Sequence, residues 1–77
     1  MNQKIKQTDI DIGGNIRRIR KAQNIGQTQL VRMLQLQDIS MTRETLVKIE
    51  RGVQHITGLQ LRGIRDCLHT SYDELLK

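Results

Sequence analysis

TRETLVKIERG, residues 42–52, is the stretch with the clearest helix signals in the chain. Thr42 can cap a helix because its hydroxyl can accept a hydrogen bond from a backbone N–H in the first turn. Gly52 can end the helix in the left-handed conformation, which glycine adopts without a steric penalty. Leu46 and Ile49 stand three positions apart and share one face, so the stretch predicts a short helix that buries this face. The opposite face carries Arg43, Glu44, Val47 and Lys48.

Two further helices are predicted on the N-terminal side of this stretch. The first runs from about Asp11, whose carboxylate can cap it, to about Asn24. Its apolar stripe consists of Ile12, Ile16, Ile19 and Ala22. The second helix runs from about Gln27 to Leu36, after a turn that contains Gly26.

Two capping boxes predict two more helices in the last third of the chain. Thr57 and Gln60 open the fourth helix, and Ser71 and Glu74 open a short fifth helix. Gly63 lies inside the fourth helix, where the missing side chain can allow another element to approach closely. Residues 37–41 are expected to form a connector, and residues 1–10 a flexible N-terminal arm before a domain at 11–77.

Length and composition favour one compact all-α domain of five helices. The chain has 77 residues, of which 36% are hydrophobic and 27% charged, as in globular proteins. It contains no proline, phenylalanine or tryptophan, and Tyr72 is its only aromatic residue. The core must therefore be aliphatic, and a sheet is disfavoured because strands favour aromatic and β-branched residues.

The net charge of +5 is concentrated in the first two thirds of the chain. Residues 1–51 hold ten basic and five acidic side chains, whereas residues 52–77 hold three of each. An excess of one sign in one part of a small domain suggests a polyanionic partner. Solubility alone can also explain such an excess, and charge by itself does not separate the two explanations.

Catalytic and metal-binding chemistry finds little support in the sequence. The single cysteine, Cys67, and the two histidines, His55 and His69, do not have the spacing of a structural zinc site. No glycine-rich phosphate loop is present. We therefore expect no enzyme, no cofactor and no small-molecule ligand. A lone cysteine fits a reducing compartment, and no run of about 18 apolar residues predicts a membrane span, so we expect a cytoplasmic protein.

The outer face of the helix at residues 42–52 has side chains that suit the edges of DNA bases. Arg43 and Lys48 can donate to guanine O6 and N7, and Glu44 can accept from cytosine N4. Val47 can contact the methyl group of thymine. An ordinary solvated helix face would show a similar mixture, so this pattern by itself leaves both interpretations open.

Four blocks of sequence together resemble the Cro/phage-repressor-like helix-turn-helix family, also called the XRE type. The blocks are IRRIR at residues 16–20, QTQL at 27–30, TLVKIERG at 45–52 and SYDELL at 71–76. The similarity covers about residues 12–76. It implies a lambda-repressor-like five-helix fold, sequence-specific binding to double-stranded DNA and a role in transcriptional control, usually as a repressor.

The resemblance also implies roles for individual residues. Gln27 would touch a phosphate through its side chain or the neighbouring amides, and Arg51 would lie near the DNA backbone. Arg20 and Glu50 would form a structural ion pair between the first and third helices. The whole expected DNA-binding set is Arg17, Gln27, Thr28, Thr42, Arg43, Glu44, Thr45, Val47, Lys48 and Arg51.

The chain departs from this family's pattern in three places. Val31 replaces the usual alanine, and Gly26 replaces the usual Ser or Thr cap. The segment around residues 35–41 is also longer than the turn of about 3–4 residues that joins such helices. This long connector and the negative charge of Glu44 on the third helix keep a second function open, namely an antitoxin or a protein-interaction adaptor on the same fold. Repressors of this kind commonly bind as dimers, so a homodimer is a further expectation.

Overall fold

The computed structural model describes residues 4–5 and 10–77, which form five helices and one pair of very short strands. The helices are α1 (Ile12–Ala22), α2 (Gln27–Gln35), α3 (Arg43–Glu50), α4 (Gly58–Cys67) and α5 (Tyr72–Leu75). The strands are β1 (Lys4–Ile5) and β2 (Ile56–Thr57), which pair antiparallel. The expected all-α character is confirmed at this coarse level, and the strand pair is an addition that the sequence did not predict.

The N-terminal arm is described only in part. Lys4 lies opposite Thr57 and Ile5 opposite Ile56 in the strand pair. The remaining residues of the predicted arm, 1–3 and 6–9, lie outside the described residues. The pairing brings the start of the chain beside the segment that leads from α3 into α4.

The helices begin where the sequence predicts. Asp11, Thr42, Thr57 and Ser71 each accept a hydrogen bond from a backbone N–H in the first turn of the helix that follows. At Thr57 the capping box is complete, because Gln60 Oε1 also accepts from the Thr57 N–H at 3.0 Å. These local bonds fix the N-terminal ends of α1, α3, α4 and α5 and confirm the predicted caps. The predicted box at Ser71 is only half formed among the described residues, since the Glu74 carboxylate lies near Lys77 and Arg18.

The first four helices end with a residue in the left-handed conformation. These residues are Asn24 (φ 58°), Asp38 (φ 59°), Gly52 (φ 77°) and His69 (φ 51°). After α2, the Asp38 N–H donates to the Gln35 carbonyl and the Ile39 N–H donates to the Leu34 carbonyl, both at 3.0 Å. This bonding pattern is a Schellman motif, which satisfies helix carbonyls that would otherwise lack partners. Only Gly52 was predicted in this role, because glycine is the usual residue there.

The core is aliphatic, as the composition predicts. The largest fully buried side chains are Ile12, Ile16, Leu30, Leu34, Leu46, Ile49, Ile56, Ile64, Leu68 and Leu75. The connector between α2 and α3 also contributes, since Ile39 and Met41 are buried. The connector is therefore part of the core, which its lack of helical period did not reveal.

Helix α3 packs against both α1 and α2, and it lies closest to α1 at Gly13. A Cβ atom at Gly13 would collide with the Ile49 carbonyl oxygen and with the Glu50 backbone. Glycine at this position lets the two helix backbones touch. Helix α5 is held on α1 in turn, because Asn15 Nδ2 donates to the Leu75 carbonyl at 2.9 Å. None of the described helices is long and apolar enough to cross a membrane.

Candidate nucleic-acid interface

Helix α3 is anchored along one face and open along the other. Leu46 and Ile49 are fully buried at 0% exposure. Arg43, Glu44 and Lys48 are exposed on the other side, while Thr45 and Val47 are half-buried at its margins. The helix therefore presents the side chains that the sequence assigned to base contacts in one outward-facing row.

The cations of this face form no ion pair within the described part of the chain. Arg43 and Lys48 on α3 and Arg51 just after it are exposed, and none lies within salt-bridge distance of a described carboxylate. Arg17 on α1 is likewise exposed and unpaired among those residues. By contrast, Arg65 pairs with a neighbouring carboxylate. The positive charge around α3 thus remains available to an external anion.

A buried ion pair joins α1 to the end of α3. Arg20 Nε donates to Glu50 Oε2 and Arg20 Nη2 donates to Glu50 Oε1, each at 2.8 Å. The side chains are 7% and 2% exposed. Arg20 Nη1 also donates to the Ile25 carbonyl at 2.8 Å, and the hydrogen bond to Glu50 raises the pKa of Arg20. Bidentate geometry and full hydrogen bonding are what a buried ion pair needs to offset its desolvation.

Gln27 extends this network to the start of α2. Its Nε2 atom donates to Glu50 Oε1 at 3.1 Å, so the half-buried side chain is committed to the inside of the molecule. One amide hydrogen of the NH₂ group remains, together with the backbone N–H groups at the start of α2, which no side chain caps. Thr28 is exposed beside them. Helix N-termini of this kind attract anions.

Two threonines stabilise the start of α3. Thr42 Oγ1 accepts from the Thr45 N–H at 3.1 Å, and the hydroxyl groups of the two residues lie 3.0 Å apart in a hydrogen bond. Both hydroxyls already have a partner inside the helix start. Their first role is therefore to fix the position from which Arg43 and Glu44 project.

The connector between α2 and α3 is anchored at several points. Ile39 and Met41 are buried, and Gln35 Nε2 donates to the Met41 carbonyl at 3.2 Å. Leu36 instead points outward with 87% exposure. The extra length of this segment is accommodated by packing rather than by a loose loop. The sequence alone could not predict that Gln27 joins the ion pair or that Ile39 enters the core, because both depend on contacts between distant segments.

Cys67, His55 and His69 differ in their exposure. Cys67 is buried, and burial raises the pKa of its thiol, which disfavours the reactive thiolate. His55 and His69 are exposed. Among residues 10–77, no group of three or more His, Cys, Asp or Glu side chains could hold a metal ion.

Comparison with known proteins identified no similar protein. No protein-family model, curated protein or solved structure matches this chain. The functional interpretation of the α3 surface rests on its geometry, charge and hydrogen bonding.

Proposed function

We propose that this protein is a small transcriptional regulator that binds double-stranded DNA sequence-specifically, with α3 in the major groove. One observation carries the proposal: α3 presents Arg43 and Lys48 outward, without internal ion pairs among the described residues, while Leu46 and Ile49 fix the helix from below. A helix of this size fits the width of the major groove, and the exposed face of α3 carries two cations and one carboxylate. Helix α2 packs against α3, which is compatible with the proposed helix-turn-helix.

Base recognition is assigned to the outer face of α3. Arg43 and Lys48 donate to guanine, Glu44 accepts from the amino group of cytosine, and Val47 contacts thymine methyl groups. These four side chains span one face of two helical turns, so they would meet successive base pairs. Glu50 takes no part, because Arg20 and Gln27 occupy its oxygens.

Phosphate contacts are assigned to the residues around α3. Arg51 and Arg17 supply positive charge, and Thr28 lies beside the uncapped N–H groups of α2. Such contacts position a protein on DNA without reading its sequence. Occupancy of a site by the docked protein then blocks or recruits polymerase. Two copies on adjacent half-sites, about one helical turn apart, would double the contacts.

A second function is an interaction module on the same fold, such as an antitoxin or an adaptor. Two observations favour it. Glu44 places a negative charge on the outer face of α3, and Leu36 is 87% exposed on the connector. An exposed leucine beside a mixed-charge helix would suit a protein partner better than a phosphate backbone.

Selection of bound duplexes from a random pool separates these two functions. We expect enrichment of one sequence, with half-site symmetry if two copies bind. The double variant Arg43→Ala/Lys48→Ala should fail to enrich that sequence. Arg62→Ala is the matched control, because it removes an exposed charge on α4 that forms no ion pair with any described residue. Absence of enrichment by the wild-type protein at low salt would overturn DNA binding and favour the interaction module.

A further inference from the structure

Helix α4 contains a glycine whose missing side chain leaves room for the connector between α2 and α3. Gly63 is buried, and a Cβ atom on it would collide with Ile39 Cδ1 and lie 3.0 Å from Leu34 Cδ2. Ile39 is only 6% exposed, so its side chain packs against the core and not against solvent. The end of the Ile39 side chain therefore occupies the place that any other residue at position 63 would fill.

Ile39 is held in this position from both sides. Its N–H donates to the Leu34 carbonyl in the Schellman motif that ends α2, and its side chain lies against Leu34, as the motif favours. Two residues later Met41 is buried, and its carbonyl accepts from Gln35. Thr42 follows as the cap of α3. The contact between Gly63 and the connector is thus linked, over a few anchored residues, to the first turn of α3.

We propose that Gly63 and Ile39 are positioning residues for the DNA contact, because their fit sets the place of the α3 N-terminus and hence of Arg43 and Glu44. This inference rests on the proposed function. Packed interiors adjust poorly to added volume, so a methyl group at position 63 must displace the Ile39 Cδ1 atom and thereby press on the connector that carries Ile39. The cations that neutralise phosphates keep their charge, so discrimination between sequences should change more than general affinity for duplex DNA.

An exchange of one methyl group tests the fit directly. Gly63→Ala adds the Cβ atom, and Ile39→Val removes the Cδ1 atom that lies in its way. We expect each single variant to reduce the ratio of affinities for the selected duplex over a scrambled duplex, by about tenfold for the alanine variant if one base contact is lost. The double variant Gly63→Ala/Ile39→Val should recover most of the ratio, and the slope of affinity against salt should be unchanged throughout.

Gly58→Ala is the matched control on the same helix. Nothing lies within 4 Å of a Cβ atom at Gly58, so this variant gains the same methyl group without a collision and should keep the wild-type ratio. If Gly63→Ala does not fold, the double variant and Ile39→Val still test whether Gly63 and Ile39 position α3. An unchanged ratio in the foldable variants, or equal losses for both duplexes, would overturn the positioning role while leaving DNA binding intact. Failure of the wild-type protein to bind any duplex would overturn both proposals.

Discussion

Arg20 shows how one side chain can connect three segments of the fold. Its guanidinium group binds both oxygens of Glu50 on α3 and the carbonyl of Ile25 between α1 and α2, and Gln27 shares the same carboxylate. Three of these four hydrogen bonds end on the buried carboxylate of Glu50. The stability of the network therefore depends on every member being present, because a buried carboxylate without its partner is strongly disfavoured.

Removing Arg20 should destabilise the protein far more than removing an exposed arginine. We expect Arg20→Ala to lower the free energy of unfolding by about 3–5 kcal/mol, since Glu50 would stay buried without a counter-charge. Thermal and urea unfolding measure this. Arg18→Ala is the control, because the Arg18–Glu74 pair is exposed at both side chains, by 53% and 47%, and such pairs contribute about 0–1 kcal/mol. An unchanged melting temperature for Arg20→Ala would refute the stabilising role of the pair.

Arg43 and Lys48 should show the opposite behaviour under the proposed function. Arg43→Ala or Lys48→Ala should each weaken binding to the selected duplex by about 1–3 kcal/mol and leave unfolding nearly unchanged, since both side chains lie outside the core. Affinity titrations and melting curves on the same samples separate the two effects. Arg62→Ala should alter neither. Equal losses for all three variants would indicate a general charge effect instead of base contacts.

At the scale of helices, the contact between α1 and α3 depends on the absence of a side chain at Gly13. We expect Gly13→Ala to destabilise the fold, because the collision is with backbone atoms of Ile49 and Glu50 that cannot rotate away. Overpacking of about 1–3 kcal/mol exceeds the gain of about 1 kcal/mol in helix propensity. Gly58→Ala gains that propensity without a collision, so chemical denaturation should move the two variants in opposite directions.

The helix ends offer a stabilising change. His69 follows α4 with φ 51°, a left-handed conformation that is unfavourable by about 1–2 kcal/mol for most residues other than glycine. Glycine loses part of this gain through greater freedom in the unfolded chain. We expect His69→Gly to raise the melting temperature by roughly 2–8 °C, corresponding to about 0.5–1 kcal/mol. Thr70→Gly, at the next position, should lower it. A decrease for His69→Gly would contradict the strain at that residue.

The sequence predicted the helix starts well because their signals are local. A cap such as Thr42 needs only a backbone N–H three residues away, and the apolar spacing of Leu46 and Ile49 shows the buried face directly. Features that depend on distant partners could not be predicted from residue patterns. Ile39 Cδ1 occupies space that Gly63 leaves open on α4, and β1 forms through its pairing with β2.

The residues of the candidate site were likewise predictable where the signal is local and not where it depends on distant contacts. Periodicity alone placed Arg43 and Lys48 on the outer face of α3, and the structure has them exposed there. Gln27 was expected to touch a phosphate through its side chain or the neighbouring amides. Its side chain donates to Glu50, so a phosphate contact would use the remaining amide hydrogen or the backbone N–H groups. Sequence reasoning missed this because Gln27 and Glu50 are brought together only by the packing of α2 on α3.

For the molecule as a whole, the excess of positive charge should govern how binding responds to salt. If about six to eight phosphates are contacted, the logarithm of affinity should fall against the logarithm of salt concentration with a slope of roughly −5 to −7. Binding titrations over a series of salt concentrations measure the slope, and Arg51→Ala should make it shallower by about one. A nearly flat slope would argue for the adaptor.

The shared carboxylate of Glu50 has a thermodynamic consequence for recognition. Because it joins α1, the start of α2 and the end of α3, these segments are already assembled before any ligand arrives. A surface that is ordered in advance avoids the entropic penalty of coupled folding. The heat-capacity change of complex formation would then reflect only the area covered at the interface, as for two rigid bodies that dock.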